Sequence, residues 1–349
     1  MARVRLAVMG AGLIGARHAA LVRANAACVL VGLCDTDPAR QSAADDLGVP
    51  FYCSVEKLLD RERPDGAIIA TPNAQHTPVA VACAARGVHI LVEKPIADTL
   101  GQAQCLIAAA RDGGIRVLVG HHRRHNPLVQ QARDLVRGGA LGRLLGFSVL
   151  WTLLKPEEYF RVAWRRERPG GGPLLINLIH DLDSLRFICG EVAGVYAQTS
   201  SAARGLGVED TLSLSLTMES GALGTILASD ATPAPWSYEA TTAENPSYFH
   251  VAENCTHFVG TAASLAFPQM ELWSYPEGDL RGWQHHLELR RMAVPALDPL
   301  TAQLEHFCRV VRGEEEPLVS AEDGAQSLAV ALAAHESAAT GAVVSPLSV

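Results

Sequence analysis

The sequence predicts a two-domain α/β protein, with a doubly wound parallel sheet in the first domain and a largely antiparallel sheet in an α+β second domain. The chain has 349 residues, and compact domains usually hold about 100–200, so two domains are expected. Over roughly the first third of the chain, short apolar runs alternate with helix-compatible segments, the pattern of a parallel sheet. Beyond it, strand-like runs follow one another, which favours antiparallel pairing.

Short apolar runs predict the strands of the first domain, and they occupy residues 4–9, 28–34, 66–70, 88–92 and 115–119. Runs of this length that are apolar throughout are typical of strands buried on both faces. The intervening segments are suited to helices at 13–24, 38–47, 74–86 and 99–112.

The second domain is predicted to begin with helical segments and to continue with strands. Helices are expected at 127–138 and 174–189, the latter directly after the glycine run at 170–172. Runs with strand character lie at 143–151, 192–201, 209–218, 222–229, 255–260 and 264–268, joined by turn-rich links. An Ala-rich segment at 321–340 is suited to a last helix.

The composition disfavours several functional classes. A formal charge of −8 would repel a phosphate backbone, so no nucleic-acid partner is expected. The apolar run at 4–9 is too short for a signal sequence or a membrane span, which predicts a cytoplasmic protein without membrane association. The eight cysteines are scattered without a C-x-x-C pair, and they are expected to be reduced core residues.

A glycine-rich turn joins the first predicted strand to the first predicted helix. It reads Gly10-Ala11-Gly12-Leu13-Ile14-Gly15, which is the G-x-G-x-x-G pattern of dinucleotide sites. Gly10 permits the tight turn, Gly12 lets the backbone approach a pyrophosphate, and Gly15 lets helix and strand pack closely. The free N–H groups of the helix N-terminus favour the bound phosphates.

Asp35 lies at the end of the second predicted strand, 20 residues after Gly15. A carboxylate there can accept hydrogen bonds from the ribose hydroxyls of an adenosine. It would repel a 2′-phosphate, and no arginine follows it directly, since Thr36, Asp37 and Pro38 come next. NAD is therefore predicted as the cofactor, in preference to NADP; Arg40 is the one nearby cation that could bend back.

Further motifs follow the later strands. Thr71-Pro72-Asn73-Ala74-Gln75-His76 comes after the run 66–70, and Glu93-Lys94-Pro95 comes after 88–92. They are followed by GHHRRHNP at 120–127, Trp164-Arg165, GGGPLLINLIHDLD at 170–183 and LEHF at 304–307. In this order the motifs resemble those of the glucose-fructose oxidoreductase / inositol dehydrogenase / MocA (Gfo/Idh/MocA) family, over nearly the whole chain.

The resemblance implies a domain organisation. It implies an NAD-binding Rossmann domain at 1–120 and a substrate-binding and oligomerisation domain at 121–349, built on a large, open, mostly antiparallel sheet. In the family the last helix, here 321–340, commonly packs back on the first domain. The exposed face of the second sheet usually forms a homodimer or homotetramer interface, which the alternating pattern at 209–218 would suit.

The resemblance also assigns site residues. Added to the glycine loop and Asp35, the implied cofactor-binding residues are Thr71, Pro72, Asn73, His76, Glu93, Lys94, Arg123, Trp164 and Arg165. The implied substrate-binding residues are Lys94, Arg123, Tyr159, Asn177 and His180, of which Lys94, His180 and Asn177 are the catalytic candidates. Tyr159, Trp164 and Arg165 lie in a charged loop that could wall a pocket.

Oxidation of a secondary alcohol requires a proton acceptor near the hydroxyl and a cation that stabilises the developing alkoxide. By the resemblance, His180 is the acceptor and Lys94 is the cation. Many relatives carry Asp four residues before this histidine, but here that position is Ile176, which neither ionises nor binds a hydroxyl. Either Asn177 takes over the hydrogen bonding to substrate, or the proton relay is simpler.

The histidine cluster His121, His122 and His125 beside Arg123 and Arg124 invites a metal or phosphate interpretation. It lacks thiolate or carboxylate partners at the spacing of a recognised metal site, so no metal is predicted.

The function predicted on these grounds is NAD-dependent hydride transfer between nicotinamide and a carbinol carbon of a sugar, sugar derivative or cyclitol. One alternative is an NAD-dependent enzyme that cleaves glycosides or epimerises its substrate through transient oxidation. Another is a non-catalytic NAD(H)-binding regulatory protein, which the presence of both Lys94 and His180 disfavours.

Overall fold

The fold is described from a computed structural model that covers residues 2–168, 170–278 and 280–349. These residues group into two compact units. The first contains the chain up to His122, residues 299–328 and Val349; the second contains 123–298 and 329–348. The predicted domain boundary at residue 120 stays a prediction. The segment 299–328, which is distant in sequence, groups with the N-terminal part of the chain.

The first unit holds a six-stranded parallel sheet. Its strands are β1 (Val4–Met9), β2 (Cys28–Cys34), β3 (Phe51–Tyr52), β4 (Gly66–Ile69), β5 (His89–Val92) and β6 (Val117–Val119). Their spatial order is β3-β2-β1-β4-β5-β6, and every neighbouring pair is parallel. This is the strand order of dinucleotide-binding sheets, which confirms the predicted doubly wound domain.

Helices connect these strands, as crossovers between parallel strands require. They are α1 (Leu13–Ala24), α2 (Gln41–Leu47), α3 (Val55–Glu62), α4 (His76–Ala84) and α5 (Leu100–Asp112). The central strands are apolar on both faces because helices cover both, and Leu6, Ile68 and Leu91 are fully buried. The switch in strand order, between β1 and β4, is where a nucleotide site is expected.

The second unit is built on an eight-stranded sheet. Its strands are β7 (Leu144–Thr152), β8 (Val192–Ser200), β9 (Thr211–Met218), β10 (Leu223–Ser229), β11 (Thr256–Gly260), β12 (Ala263–Phe267), β13 (Glu271–Ser274) and β14 (Glu288–Arg291). Their order is β14-β13-β12-β11-β7-β10-β9-β8. All neighbours are antiparallel except β7 and β10, which confirms the predicted mostly antiparallel sheet.

One face of this sheet is covered by the helices α6 (Pro127–Arg137) and α7 (Ile179–Cys189). Val129 of α6, Leu185 of α7 and Phe258 of β11 line one small internal cavity, so both helices pack on the buried face. Along β9, Leu212, Leu214 and Leu216 are buried while the residues between them are exposed. Strict alternation of this kind leaves the other face of the sheet at the surface of the unit.

Three helices remain: α8 (Tyr238–Thr241), α9 (Pro299–Arg312) and α10 (Ala321–Thr340). The structure agrees with the prediction for α10, whereas α9 was not predicted. Phe307 of α9 is fully buried and packs against Gly66 of β4. A Cβ on Gly66 would come within 3.0 Å of the Phe307 ring, so the ring occupies the space that a side chain at residue 66 would need. Among the described residues, no helix has the length and apolar character needed to cross a membrane.

Candidate active site

The glycine loop has the geometry that its sequence predicts. Gly10 has a φ of +96°, and a Cβ on it would lie 2.5 Å from the carbonyl oxygen of Ala70. A Cβ on Gly15 would lie 1.8 Å from the Gly10 carbonyl oxygen, so helix α1 packs directly on the turn. At Gly12, in contrast, a Cβ would meet no atom within 4 Å. Gly12 therefore borders open space, as a pyrophosphate requires, and Leu13 beside it is 88% exposed.

Asp35 is held against this loop. Its Oδ2 accepts a hydrogen bond from the Ala11 N–H at 2.7 Å, and its Oδ1 accepts one from the Asp37 N–H at 2.9 Å. Each carboxylate oxygen can accept a further hydrogen bond, so Asp35 keeps acceptor capacity for a ribose. The sequence predicted the position of this carboxylate but not its bond to the loop.

The turn at 71–76 and the loop at 93–95 are joined through one histidine. His76 is buried, and its Nδ1 and Nε2 lie 2.9 Å from the carbonyl oxygens of Pro95 and Thr71, respectively. Burial lowers the pKa of His76, although both carbonyls oppose that shift. The geometry therefore favours a positioning role for His76, and its predicted cofactor contact stays a prediction.

Thr71 supplies a second feature that fits a bound nucleotide. Its Oγ1 is buried and has no hydrogen-bond partner among the described residues, and its backbone N would be 2.8 Å from a Cβ on Gly10. Pro72 is exposed and Asn73 is half-buried beside it. A buried hydroxyl without a partner is rare in folded proteins, and a bound nucleotide would satisfy it. The open Gly12 and the orphan Thr71 hydroxyl both fit a dinucleotide.

Glu93 and Lys94 follow β5 at the carboxyl edge of the sheet, where open α/β sheets hold ligands. Glu93 is buried, and its Oε1 lies 2.7 Å from Nε2 of His18 on α1. Burial alone would raise the pKa of Glu93, but the hydrogen bond and charge of His18 and the charge of Lys94 outweigh it and lower the pKa to about 2. Lys94 is half-buried beside this carboxylate. Sequence reasoning missed His18, which looks like an ordinary helix residue.

In the second unit, a glycine and a glutamate fix the start of the helix that carries His180. Gly172 has a φ of +89°, and a Cβ on it would lie 2.4 Å from Oε1 of Glu209. That oxygen accepts a hydrogen bond from the Leu174 N–H at 3.2 Å. Burial raises the pKa of Glu209. The positive φ and the close approach of the carboxylate each require a glycine at 172, and Glu209 was not predicted as part of the site.

A π-helical turn, Leu174–Leu178, precedes α7 and holds Asn177. Turns of this kind are often found at functional sites. His180, the second residue of α7, is 8% exposed, and Ser184 donates a hydrogen bond to its carbonyl oxygen at 2.8 Å. Asn177 is half-buried, and its Oδ1 accepts a hydrogen bond from Nζ of Lys155 at 2.8 Å. Sequence reasoning missed Lys155 as well.

Arg123 has a different environment from the predicted pocket rim. Its side chain is 3% exposed, and it pairs with Asp181 at 3.1 Å and with Glu239 at 2.8 Å, while its guanidinium stacks on the Tyr238 ring at 3.8 Å. Burial and the Glu239 charge raise the pKa of Asp181 to about 6 against the opposing charge of Arg123. The geometry favours a structural role for Arg123, and its substrate and cofactor contacts stay predictions.

The predicted loop residues Tyr159, Trp164 and Arg165 lie together. The Arg165 guanidinium is 4.2 Å from the Tyr159 ring centroid and 5.7 Å from that of Trp164, and its Nη1 donates to the Tyr159 carbonyl oxygen at 3.1 Å. Burial raises the pKa of Tyr159 to about 12. Nζ of Lys155 lies 4.6 Å from the Tyr159 ring, so this loop borders the Lys155 and Asn177 pair.

Metal-binding groups would consist of clustered His, Cys, Asp or Glu side chains in the ranges that the structure describes. Within those ranges, no group of three or more His, Cys, Asp or Glu residues is arranged to hold a metal ion.

Comparisons with known proteins agree with this geometry. The sequence model of the oxidoreductase family with an NAD-binding Rossmann fold (GFO_IDH_MocA) matches residues 4–121. The model of the GFO/IDH/MocA C-terminal domain matches residues 129–266. Together the two matched ranges include most of the chain, the whole first sheet and the strands of the second sheet as far as β12.

Individual relatives span nearly the same length. The chain is 31% identical over 297 residues to 1,5-anhydro-D-fructose reductase from Ensifer adhaerens, covering 82% of this chain and 81% of that protein. It is 26% identical over 344 residues to myo-inositol 2-dehydrogenase from Thermotoga maritima, covering 96% of each. A crystal structure of an oxidoreductase from Agrobacterium radiobacter, in complex with NAD+, L-tartaric acid and magnesium, shares the fold with a TM-score of 0.83. That match is 20% identical and covers 99% of this chain and 98% of the other. The chain belongs to the Gfo/Idh/MocA family of oxidoreductases.

Proposed function

We propose that this protein is a dehydrogenase that transfers a hydride between NAD and a carbinol carbon of a sugar, sugar derivative or cyclitol. The observation that carries the proposal is the nucleotide cradle of the first unit. There Gly12 borders open space, Asp35 is fixed by the Ala11 N–H, and the Thr71 hydroxyl is buried with no partner in the part of the chain that the structure describes. Membership in an oxidoreductase family supports the hydride transfer.

The preference for NAD over NADP rests on Asp35. Both of its oxygens accept backbone hydrogen bonds, which hold the carboxylate in place. A 2′-phosphate next to a fixed carboxylate would be repelled. The nearest cation along the chain, Arg40, lies 3.8 Å from Asp37, and both side chains are more than half exposed. These contacts support NAD as the preferred cofactor.

When bound, the nicotinamide supplies the acceptor for the hydride. Lys94 is proposed to donate a hydrogen bond to the reacting hydroxyl oxygen and to stabilise the negative charge that develops there. His180 is proposed to take the hydroxyl proton. The C–H bond gives up its electron pair as hydride, the O–H bond gives its proton to the imidazole, and a carbonyl group forms. The Glu93 and His18 pair fixes the backbone that carries Lys94.

The sugar or cyclitol class is supported by the relatives, which are named for 1,5-anhydro-D-fructose and myo-inositol. Tyr159, Trp164 and Arg165 suit such a substrate, because aromatic rings pack on the apolar faces of sugars and guanidinium groups bind their hydroxyls. Trp164 is 53% exposed, so its ring is available for such packing.

The test is a screen of cyclitols, aldoses and their lactones, with NAD or NADH, followed as NADH absorbance. Net NADH formation or consumption with at least one member of these classes is the expected result. Tight NAD binding together with product formation but no net change in NADH would indicate transient oxidation. NAD binding without any conversion would support a regulatory protein and contradict the proposal.

The homodimer or homotetramer expected through the second sheet is also a proposal. Its support is the exposed face of that sheet, on which Leu223 and Leu227 of β10 are 62% and 48% exposed. Light scattering should give a mass of two or four chains, and Leu227→Lys should lower it. The cytoplasmic location stays a prediction from the sequence.

A further inference from the structure

Lys155 is a buried lysine to which the proposed reaction assigns no role. It lies just beyond β7 and is 8% exposed. Its backbone is fixed on both sides, because its N–H donates to the Asp230 carbonyl oxygen and its own carbonyl oxygen accepts from Arg204, each at 2.9 Å. Burying an ammonium group is costly unless its N–H groups are paired, so the identity of its partners carries information.

Two oxygen atoms pair with the ammonium. Nζ lies 2.8 Å from Oδ1 of Asn177 and 3.2 Å from Oδ2 of Asp230. Burial lowers the pKa of Lys155, and the charge of Asp230 opposes that shift. The other oxygen of Asp230 accepts from Nε of Arg204 at 3.1 Å. Asp230 therefore pairs with two cations, Lys155 and Arg204, whereas Asn177 binds one of them, Lys155.

The contact with Lys155 decides which way the amide of Asn177 faces. The oxygen and nitrogen of an amide are often hard to tell apart, and their assignment follows from the hydrogen-bonding partners. An ammonium group has three donors and no acceptor, so only the amide oxygen can face it. The NH2 group of Asn177 consequently points away from Lys155.

We propose that Lys155 is a positioning residue that locks the Asn177 amide with its NH2 group toward the substrate, so that Asn177 donates a hydrogen bond to a substrate oxygen. The inference rests on the proposed function, because it assumes that Asn177 borders the substrate. It assigns the chemistry of that contact. The substrate must place a carbonyl, ether or hydroxyl oxygen there as an acceptor, and Asn177 does not serve as the proton acceptor of the reaction.

A substrate with a cationic or otherwise donor-only group at this position is expected to be rejected. If a donor group of the substrate faced the locked NH2 group, both buried donors would be left unpaired. Sites built to pair a specific polar group discriminate strongly against analogues that lack that group. Lys155 would thus act on specificity without touching the substrate itself.

The kinetic test is a double-mutant cycle on the best substrate from the screen. Asn177→Ala and Lys155→Met are each expected to lower kcat/KM about tenfold, as for loss of one good hydrogen bond. The double variant should be no worse than Asn177→Ala alone, because Lys155 acts through Asn177. Lys57→Met, the same substitution at an exposed lysine of α3, is the matched control; it should leave kcat/KM nearly unchanged and should not alter the loss caused by Asn177→Ala. Losses that multiply for Lys155→Met and Asn177→Ala would overturn the proposal.

Asn177→Asp keeps an oxygen facing Lys155 but replaces the donor with an acceptor. It is expected to lose at least as much kcat/KM as Asn177→Ala. Equal or higher turnover than the wild type would mean that the position accepts a proton or a hydrogen bond, and the proposal would be wrong. This variant keeps the inference testable even if Lys155→Met does not fold.

A readout without turnover separates this inference from the proposed function. The chain has six asparagines, so asparagine-selective ¹⁵N labelling gives a simple NMR spectrum of side-chain amides. The Asn177 signal, identified by its absence in Asn177→Asp, should shift in Lys155→Met and stay nearly in place in the control Lys57→Met. No shift in Lys155→Met would refute the locked amide. A shift together with an empty substrate screen would contradict only the proposed function.

Discussion

Gly172→Ala is expected to destabilise the second unit through the start of the helix that carries His180. Gly172 has a φ of +89°, a backbone conformation that alanine rarely adopts. Its new Cβ would lie 2.4 Å from Oε1 and 2.7 Å from Cδ of Glu209, well inside van der Waals contact. Because Glu209 is only 4% exposed, its carboxylate has little room in which to retreat.

Two costs add up in this variant. A non-glycine residue in the left-handed region costs about 1–2 kcal/mol. Displacing the Glu209 carboxylate breaks its hydrogen bond to the Leu174 N–H and leaves a buried group unpaired, which costs about 1–3 kcal/mol. The free energy of unfolding should therefore fall by about 2–5 kcal/mol. In a Glu209→Ala background, only the backbone cost of about 1–2 kcal/mol should remain.

Urea denaturation followed by circular dichroism measures this loss. Gly170→Ala is the matched control in the same glycine run, because no atom of the described residues outside its neighbours lies within 4 Å of a Cβ on Gly170. Gly170→Ala should change the free energy of unfolding by less than about 1 kcal/mol. If Gly172→Ala is as stable as Gly170→Ala, or if its cost is unchanged by Glu209→Ala, the close contact does not determine this turn.

Further predictions concern the first unit and metal content. Asp35→Ser should narrow the gap in affinity between NAD and NADP, and equal affinities for both in the wild type would contradict the preference. The pKa of Glu93 is lowered in the folded state to about 2 from an ordinary value of 4.5. The ionised Glu93 carboxylate therefore stabilises the folded state fully above pH 4.5, and this stabilisation is lost as the pH falls toward 2. In His18→Ala, the free energy of unfolding should fall less steeply as the pH is lowered over this range. If its pH profile matches that of the wild type, the pair of Glu93 and His18 is not the cause of the acid sensitivity. Elemental analysis should find no stoichiometric zinc, and a chelator should leave NAD affinity unchanged; one zinc per chain would contradict this.

The sequence predicted those elements whose pattern is local. Strands β1, β2 and β9 show their apolar runs or alternation within a few residues, and the glycine loop shows its function in the spacing of Gly10, Gly12 and Gly15. Strands β13 and β14 were missed because neither contains an apolar run: β13 reads ELWS, and β14 reads ELRR with all four residues exposed.

The parts of the site that were missed depend on pairs distant in the sequence. A lysine before a proline, as at Lys155, is typical of a solvated turn, and it can be buried because Asn177 and Asp230, 22 and 75 residues later, pair with its ammonium group. His18 resembles any helix residue until β5 places Glu93 beside it. These two pairings are decided by the folded chain and leave no local signal. The helix α9 differs from them, because its buried residues recur at helical spacing, at Leu300, Leu304, Phe307 and Cys308; its signal was present in the sequence and was missed.

The most direct test of the central claim compares wild-type protein with His180→Ala and Lys94→Met on the best substrate from the screen, measuring NADH formation and NAD binding together. Removing a proton-transfer group usually lowers the rate about 10²–10⁴-fold. The account predicts a loss of that size for both variants, with NAD affinity changed little, because the cradle around Gly12 and Asp35 is untouched. Near-native turnover of His180→Ala across the pH range would show that the histidine is structural and would contradict the proposed chemistry.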